Sequence, residues 1–243
     1  MFTDVAERIN AFPTHTLKHF PFNEPCKHQL ILLLRKVDNH IIHYSICKGA
    51  RIMGREFELK YRATGEQLES IEAFCEGFRE IRMETTYYDT PDGTLRQLRW
   101  TLRRRMENGI SVCTVKSNLG DGSRGEWETK CNDILAAVPQ LIALGAPEAL
   151  AEYTRQGVVP TCGARFTRKA VTLPAGTGAV ELALDQGVLL GGGKELPFAE
   201  VEVELKQGRD EDAIAFAAEL AARFGLTPEL KSKLRRALDL AGK

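Results

Sequence analysis

Glu56, Glu58 and Lys60 occupy alternate positions in the run Arg55-Glu56-Phe57-Glu58-Leu59-Lys60-Tyr61. In an extended strand alternate side chains share a face. Two carboxylates and an ammonium therefore line one side, and Phe57, Leu59 and Tyr61 the other. The pattern returns as Glu200-Val201-Glu202-Val203-Glu204-Leu205-Lys206. All five histidines precede residue 44, so the last 200 residues contain neither a His-based triad nor a His-ligated metal site. Chemistry there falls to carboxylates, Lys, Arg and a hard metal ion.

These side chains need strands to present them. Alternation and β-branched content predict strands over Thr85–Asp89, Leu98–Met106, Ile110–Ser117, Gly125–Lys130, Arg165–Leu173, Ala179–Asp185 and Phe198–Lys206. With the first acidic strand they make about eight, in hairpin-like succession and largely antiparallel. Asn108-Gly109 is a hairpin turn signal. Helical periodicity marks Glu66–Phe78, Asp133–Leu144, Pro147–Gln156, Asp210–Phe224 and Pro228–Leu240, the last with Thr227 as its expected N-cap. The second face of nearly every strand is charged, and the signs sort by strand. Carboxylates dominate four strands, and Arg and Lys the strands between. Unpaired buried charge is very costly. If such a sheet closes on itself, its interior needs cross-strand pairing, water, metal ions and a polyanionic guest.

The totals bound the rest. The chain has 243 residues and a formal net charge of zero, which gives no support for general nucleic-acid binding. Its six cysteines form no CxxC pair, arguing against a structural zinc site or disulfide scaffold and for reduced thiols in the cytoplasm. The apolar run Leu30–Leu34 is too short to span a bilayer, and the N-terminus lacks a signal-peptide pattern. Residues 1–52 carry every histidine and a net charge of +3, against −3 for the remainder. They read as an N-terminal extension, poorly ordered or an over-extended reading frame, before an organised domain over 53–243.

Six segments in order over that domain resemble the CYTH domains of the triphosphate tunnel metalloenzyme family. They are Glu56-Phe57-Glu58-Leu59-Lys60, Tyr87-Tyr88-Asp89-Thr90-Pro91, Leu102-Arg103-Arg104-Arg105, Thr114-Val115-Lys116, Phe198-Ala199-Glu200-Val201-Glu202 (preceded by Leu184-Asp185), and Ser232-Lys233. Arg104 departs from the pattern, where family members more often carry an apolar residue. The resemblance implies an α+β fold, an eight-stranded antiparallel β tunnel closed as a barrel and flanked by helices. It implies binding of a triphosphate small molecule with a divalent metal.

Breaking a phosphoanhydride asks chiefly for charge neutralisation and positioning. Metal binding, with Mg²⁺ or Mn²⁺, is expected at Glu56, Glu58, Asp185, Glu200 and Glu202, with Glu128 and Glu204 as secondary candidates. Phosphate binding is expected at Lys60, Arg103, Arg105, Lys116, Arg168 and Lys233. Glu56, Glu58 and Lys60 are the catalytic candidates, and a metal-oriented water the nucleophile. Arg165 competes with Arg168 for its role. Glu126 and Glu128 are alternatively pairing partners for arginine, Glu204 and Lys206 groups at the tunnel mouth, and Lys233 a solvated helix charge. The expected activity is hydrolysis of inorganic triphosphate by a monomer or homodimer. Its rivals are a nucleoside or thiamine triphosphatase, a CYTH-type adenylate cyclase, and a non-catalytic polyphosphate-binding module.

Overall fold

The computed structural model describes residues 57–118 and 124–243. Glu56 and the extension over residues 1–52 lie outside the described residues.

The order of elements is β1 (Glu58–Arg62), α1 (Gly65–Phe74), β2 (Arg79–Asp89), α2 (Thr94–Gln97), β3 (Thr101–Glu107), β4 (Ile110–Asn118), β5 (Arg124–Lys130), α3 (Ile134–Ala143), α4 (Ala149–Thr154), β6 (Val159–Ala175), β7 (Gly178–Gly191), β8 (Lys194–Gln207), α5 (Asp210–Phe224), β9 (Thr227–Pro228) and α6 (Lys233–Leu240). All strands join one antiparallel sheet in the order β5-β4-β3-β2-β6-β7-β8-β1-β9.

The expectation of an eight-stranded closed barrel is corrected. Among the described residues the sheet has nine strands and is open, with β5 and β9 at its ends. Closure would need β5 to reach the outer edge of β1. That edge is taken instead by the segment after α5, where Tyr61 faces Pro228 and Glu229 donates its N–H to Lys60 O at 2.8 Å. Pro228 has no N–H to offer a further strand.

The same pairing corrects the last helix. Thr227-Pro228-Glu229 reads as a helix start, but β1 holds Thr227 and Pro228 extended. Helix α6 begins at Lys233 behind Ser232, whose side chain accepts from Arg235 N. Strands β6–β8 run 14 to 17 residues, well past the predicted segments. Asn108 and Gly109 both take positive φ and connect β3 to β4, as their types favour.

One face of the sheet holds two apolar clusters, each under a layer of helices. On β1 and β6–β8, Tyr61, Val180, Leu182, Val201 and Val203 pack under α1 and α5, against Ile71 and Leu220. Gln67 ties those helices together. Its Oε1 accepts from Thr64 N, closing a capping box on α1, while Nε2 donates to Phe224 O and Gly225 O at the end of α5. On β3–β5, Leu102, Val115 and Trp127 pack under α3 and α4, against Leu141 and Leu150. Arg104 lies on the same face and donates to Asn132 O at 3.0 Å, which satisfies its charge there.

The opposite face is the charged one. Helix α6 lies on it, with Ala237 against Leu189 and Phe198. Contact is close: a Cβ on Gly191 would fall 2.2 Å from Ala237 O, so β7 needs glycine there.

Candidate functional site

Alternation along each strand places the charged groups. In β1, Lys60 lies opposite Glu202 and Glu58 opposite Glu204. Across β7 and β8, Asp185 lies opposite Glu200, and across β6 and β7 it lies opposite Arg168. Helix α6 adds Lys233 and Arg236, three residues apart and so on one helix face. Asp185, Glu200 and Glu202 are all buried, with carboxylate oxygens within 4.8 Å of one another.

Cations hold these carboxylates. Arg168 grips Asp185 bidentately, Nε to Oδ1 and Nη2 to Oδ2, both at 2.7 Å, and also donates to Glu202. Lys233 Nζ lies 2.7 Å from Asp185 Oδ2 and 2.7 Å from Glu202 Oε1, and bonds Glu200 as well. Arg236 Nη2 donates to Glu200 Oε2. Lys60 Nζ lies 3.3 Å from Glu58.

Burial disfavours charge on Glu202, yet Lys233 and Arg168 outweigh it and hold that carboxyl well below its ordinary range. For Glu200 burial prevails, helped by the charge of Glu202, and its pKa is raised despite Lys233 and Arg236. Burial also opposes the charges of Arg168 and Lys233, but the surrounding carboxylates overcome it and raise both. Each buried ion costs several kcal/mol to desolvate, and apolar residues of similar volume are often as stabilising. Stability alone does not account for so many ions in one place.

A second constellation occupies the same face on β3–β5. Arg103 Nη2 lies 3.3 Å from Glu126 and 3.5 Å from Glu128. Arg105 lies 3.6 Å from Glu128 and pairs with Glu107, and Lys116 lies 2.9 Å from Glu126. Thr114 donates to Glu128 at 2.9 Å. Among the described residues, Arg105 Nε is buried without a hydrogen-bond partner. Burial and the like charge of Arg103 lower the pKa of Arg105, and Arg168 is near enough to add to that effect. Burial opposes charge on Glu128, but Arg105 and Arg103 outweigh it and lower its pKa.

The structure thus brings Glu58, Lys60, Arg103, Arg105, Lys116, Arg168, Asp185, Glu200, Glu202 and Lys233 to one face. Glu56 lies outside the described residues. Glu128 sits among the arginines rather than with the three converging carboxylates. Glu204 pairs with Lys206 at 2.8 Å, and Lys206 also reaches Glu181. Arg165 is exposed and pairs with Glu195 at 2.8 Å, away from the carboxylates that Arg168 holds.

The Tyr87–Pro91 segment has a structural use. Buried Asp89 accepts from Thr90 N and Leu95 N, and Thr90 Oγ1 accepts from Thr94 N, so the motif folds the turn into α2. Sequence reasoning missed Arg236 and Glu229. The spacing Lys233-x-x-Arg236 would have signalled the first. No local pattern marks the second.

The carboxylate set fits a divalent cation. Its donors are all hard oxygens, and they already converge on a positive centre, the Lys233 ammonium.

A family model described as "CYTH domain" matches residues 54–238. The chain is 29% identical over 208 residues to an inorganic triphosphatase of Haemophilus influenzae, an alignment covering 79% of this chain and 56% of that protein. The chain therefore spans about half the length of that curated relative. Among solved structures, the fold is similar to a putative adenylyl cyclase from Hippeastrum described as having a dominant triphosphatase activity. The TM-score is 0.55 at 19% identity, covering 78% of this chain and 97% of that one. It is also similar to a putative adenylate cyclase from Bacillus halodurans, with TM-score 0.51 at 19% identity, covering 74% and 96%. Among the described residues, no helix is long and apolar enough to cross a membrane.

Proposed function

Because the chain belongs to the CYTH domain family, we propose that it hydrolyses a triphosphate phosphoanhydride in a metal-dependent reaction, with inorganic triphosphate as the preferred substrate. The observation that carries this reading is the pairing of two constellations on one face. Three carboxylates converge within 4.8 Å, and Arg103, Arg105 and Lys116 stand on neighbouring strands of the same sheet. The first suits a hard cation and the second a polyanion.

Asp185, Glu200 and Glu202 would hold Mg²⁺ or Mn²⁺, with Glu58 beside them. When bound, the ion would neutralise phosphate charge and orient water for attack. Arg103 and Arg105 grip phosphate oxygens through planar guanidinium groups, and Lys116 and Lys60 add movable point charges. Lys233 and Arg168 stabilise charge that builds on the cleaved bridge oxygen. The name of the Haemophilus relative supports an inorganic substrate. Two aromatics of this face, Phe166 and Phe198, pack edge to face with ring centroids 5.7 Å apart and lie beneath the Lys233 ammonium.

The test is phosphate release from tripolyphosphate, ATP and thiamine triphosphate with Mg²⁺, Mn²⁺ or EDTA. Fastest release from tripolyphosphate, abolished by EDTA, is expected. Cyclic AMP formed from ATP would replace this reading with a cyclase. Saturable binding of tripolyphosphate without turnover would replace it with a binding module.

A further inference from the structure

Arg236 lies between two carboxylates. Its Nη2 donates to Glu200 Oε2, and Nη1 lies 3.7 Å from Glu229 Oε2, within ion-pair range but beyond a hydrogen bond. Among the described residues its Nε has no partner. The side chain is 13% exposed, so this guanidinium depends on protein anions.

Glu229 is fixed from three other sides. Its carboxylate accepts from Arg62 Nε at 2.6 Å and from Lys231 N at 2.8 Å, and its own N–H bonds Lys60 O. Its side chain is 2% exposed. A buried carboxylate is a costly way to fill space, since an apolar residue of similar volume serves packing as well or better. The charge itself therefore needs a reason.

The metal reading supplies one. Lys233 holds Oε1 of Glu200 and Arg236 holds Oε2, so a cation bound through both oxygens, or through Oε2, displaces Arg236. With no second anion, Arg236 would remain charged and unpaired inside the protein, at a cost that opposes cation entry. We propose that Glu229 is a positioning residue for the metal site: it accepts Arg236 when Glu200 turns to a cation. Glu229 touches neither metal nor substrate and acts only through Arg236. This inference rests on the proposed function.

The test is Mn²⁺ affinity of the full chain without substrate, by titration calorimetry and by the electron paramagnetic resonance of free Mn²⁺, with thermal melting alongside. Glu229→Gln keeps the shape but loses the charge, and weakens Mn²⁺ binding about tenfold, within the coupling expected inside one ion-pair network. Glu229→Asp recovers part of the loss. Arg236→Met removes the competitor and tightens Mn²⁺ binding. In the Arg236→Met background, Glu229→Gln has no further effect.

A lower melting temperature with unchanged Mn²⁺ affinity in Glu229→Gln overturns the proposal in favour of a purely structural tether. So does an equal loss in both backgrounds. If Glu229→Gln does not fold, Arg236→Met alone decides, because unchanged or weaker Mn²⁺ binding in it overturns the proposal. Wild type that binds no Mn²⁺ overturns the metal reading itself, a result distinct from all of these.

Discussion

The two halves of the charged face are built from the same alternation but hold their ions differently. On β6–β8 and α6, Asp185 and Glu200 have fully buried side chains, and their partners sit at hydrogen-bond distance. On β3–β5, the side chains of Glu126 and Glu128 are 18% and 27% exposed, and Arg103 stands 3.3 to 3.5 Å from them. Helix α6 lies across the acidic half, on β6 and β7. On the proposed reading, the acidic half exchanges ions when a metal enters. The basic half has donors to turn toward an incoming anion, Arg105 Nε among them.

Asp185→Asn attacks the acidic half at its centre and carries the largest expected effect. It deprives Arg168 and Lys233 of a shared carboxylate, and breaking a buried pair costs about 3–5 kcal/mol. Urea unfolding should register that loss, and phosphate release from tripolyphosphate should fall by about a hundredfold or more. Arg105→Ala should do the opposite on the basic half. Stability should change little, while KM for tripolyphosphate rises about tenfold or more, the worth of a charge-assisted hydrogen bond. Equal stability losses in the two variants would erase the distinction between the halves.

Acid titration sharpens it. Glu202 binds fewer protons folded than unfolded, so its contribution to stability is full above its ordinary pKa of 4.5 and is lost as pH falls through the depressed folded value. The gap in urea midpoint between wild type and Glu202→Gln should be widest above pH 4.5 and should narrow in acid. A gap that does not change with pH would refute this account of the acidic half. The smallest effect belongs to Arg165→Ala. Its pair with Glu195 is more than half exposed on both sides, so a stability change within about 1 kcal/mol and unchanged phosphate release are expected. A large loss of activity would put Arg165 in the role given to Arg168.

Most of the charged face was legible in the sequence because a strand writes its two faces at alternate positions. Glu58 and Lys60, Asp185, and Glu200 and Glu202 were found that way, and the arginine pair on β3 likewise. What was not legible depends on distant pairing. Whether a sheet closes is decided where its end strands meet. Here a two-residue strand after α5 takes the edge of β1, which no alternation encodes. The same contact overrides the helix-start chemistry of Thr227-Pro228, displacing the expected start of α6 and hiding Arg236 and Glu229. The Tyr87–Pro91 motif shows the converse: its hydrogen bonds fold a turn, and sequence alone did not distinguish that use from a place in the site.

The bond between Arg62 and Glu229 spans 167 residues. Strands β6, β7 and β8 are joined by tight turns and can pair as soon as they leave the ribosome. They bring Asp185, Glu200 and Glu202 together early. Strand β1 precedes β8, the neighbour it pairs with, by more than 130 residues, and the carboxylates have neither Lys233 nor Arg236 until α6 follows. For that interval the nascent chain carries three acidic side chains close together, with Arg168 on β6 and Lys60 on β1 to offset them. Pairing across such separations is intrinsically slow, and a ribosome stalled before α6 would leave the three carboxylates without the two cations that this helix supplies.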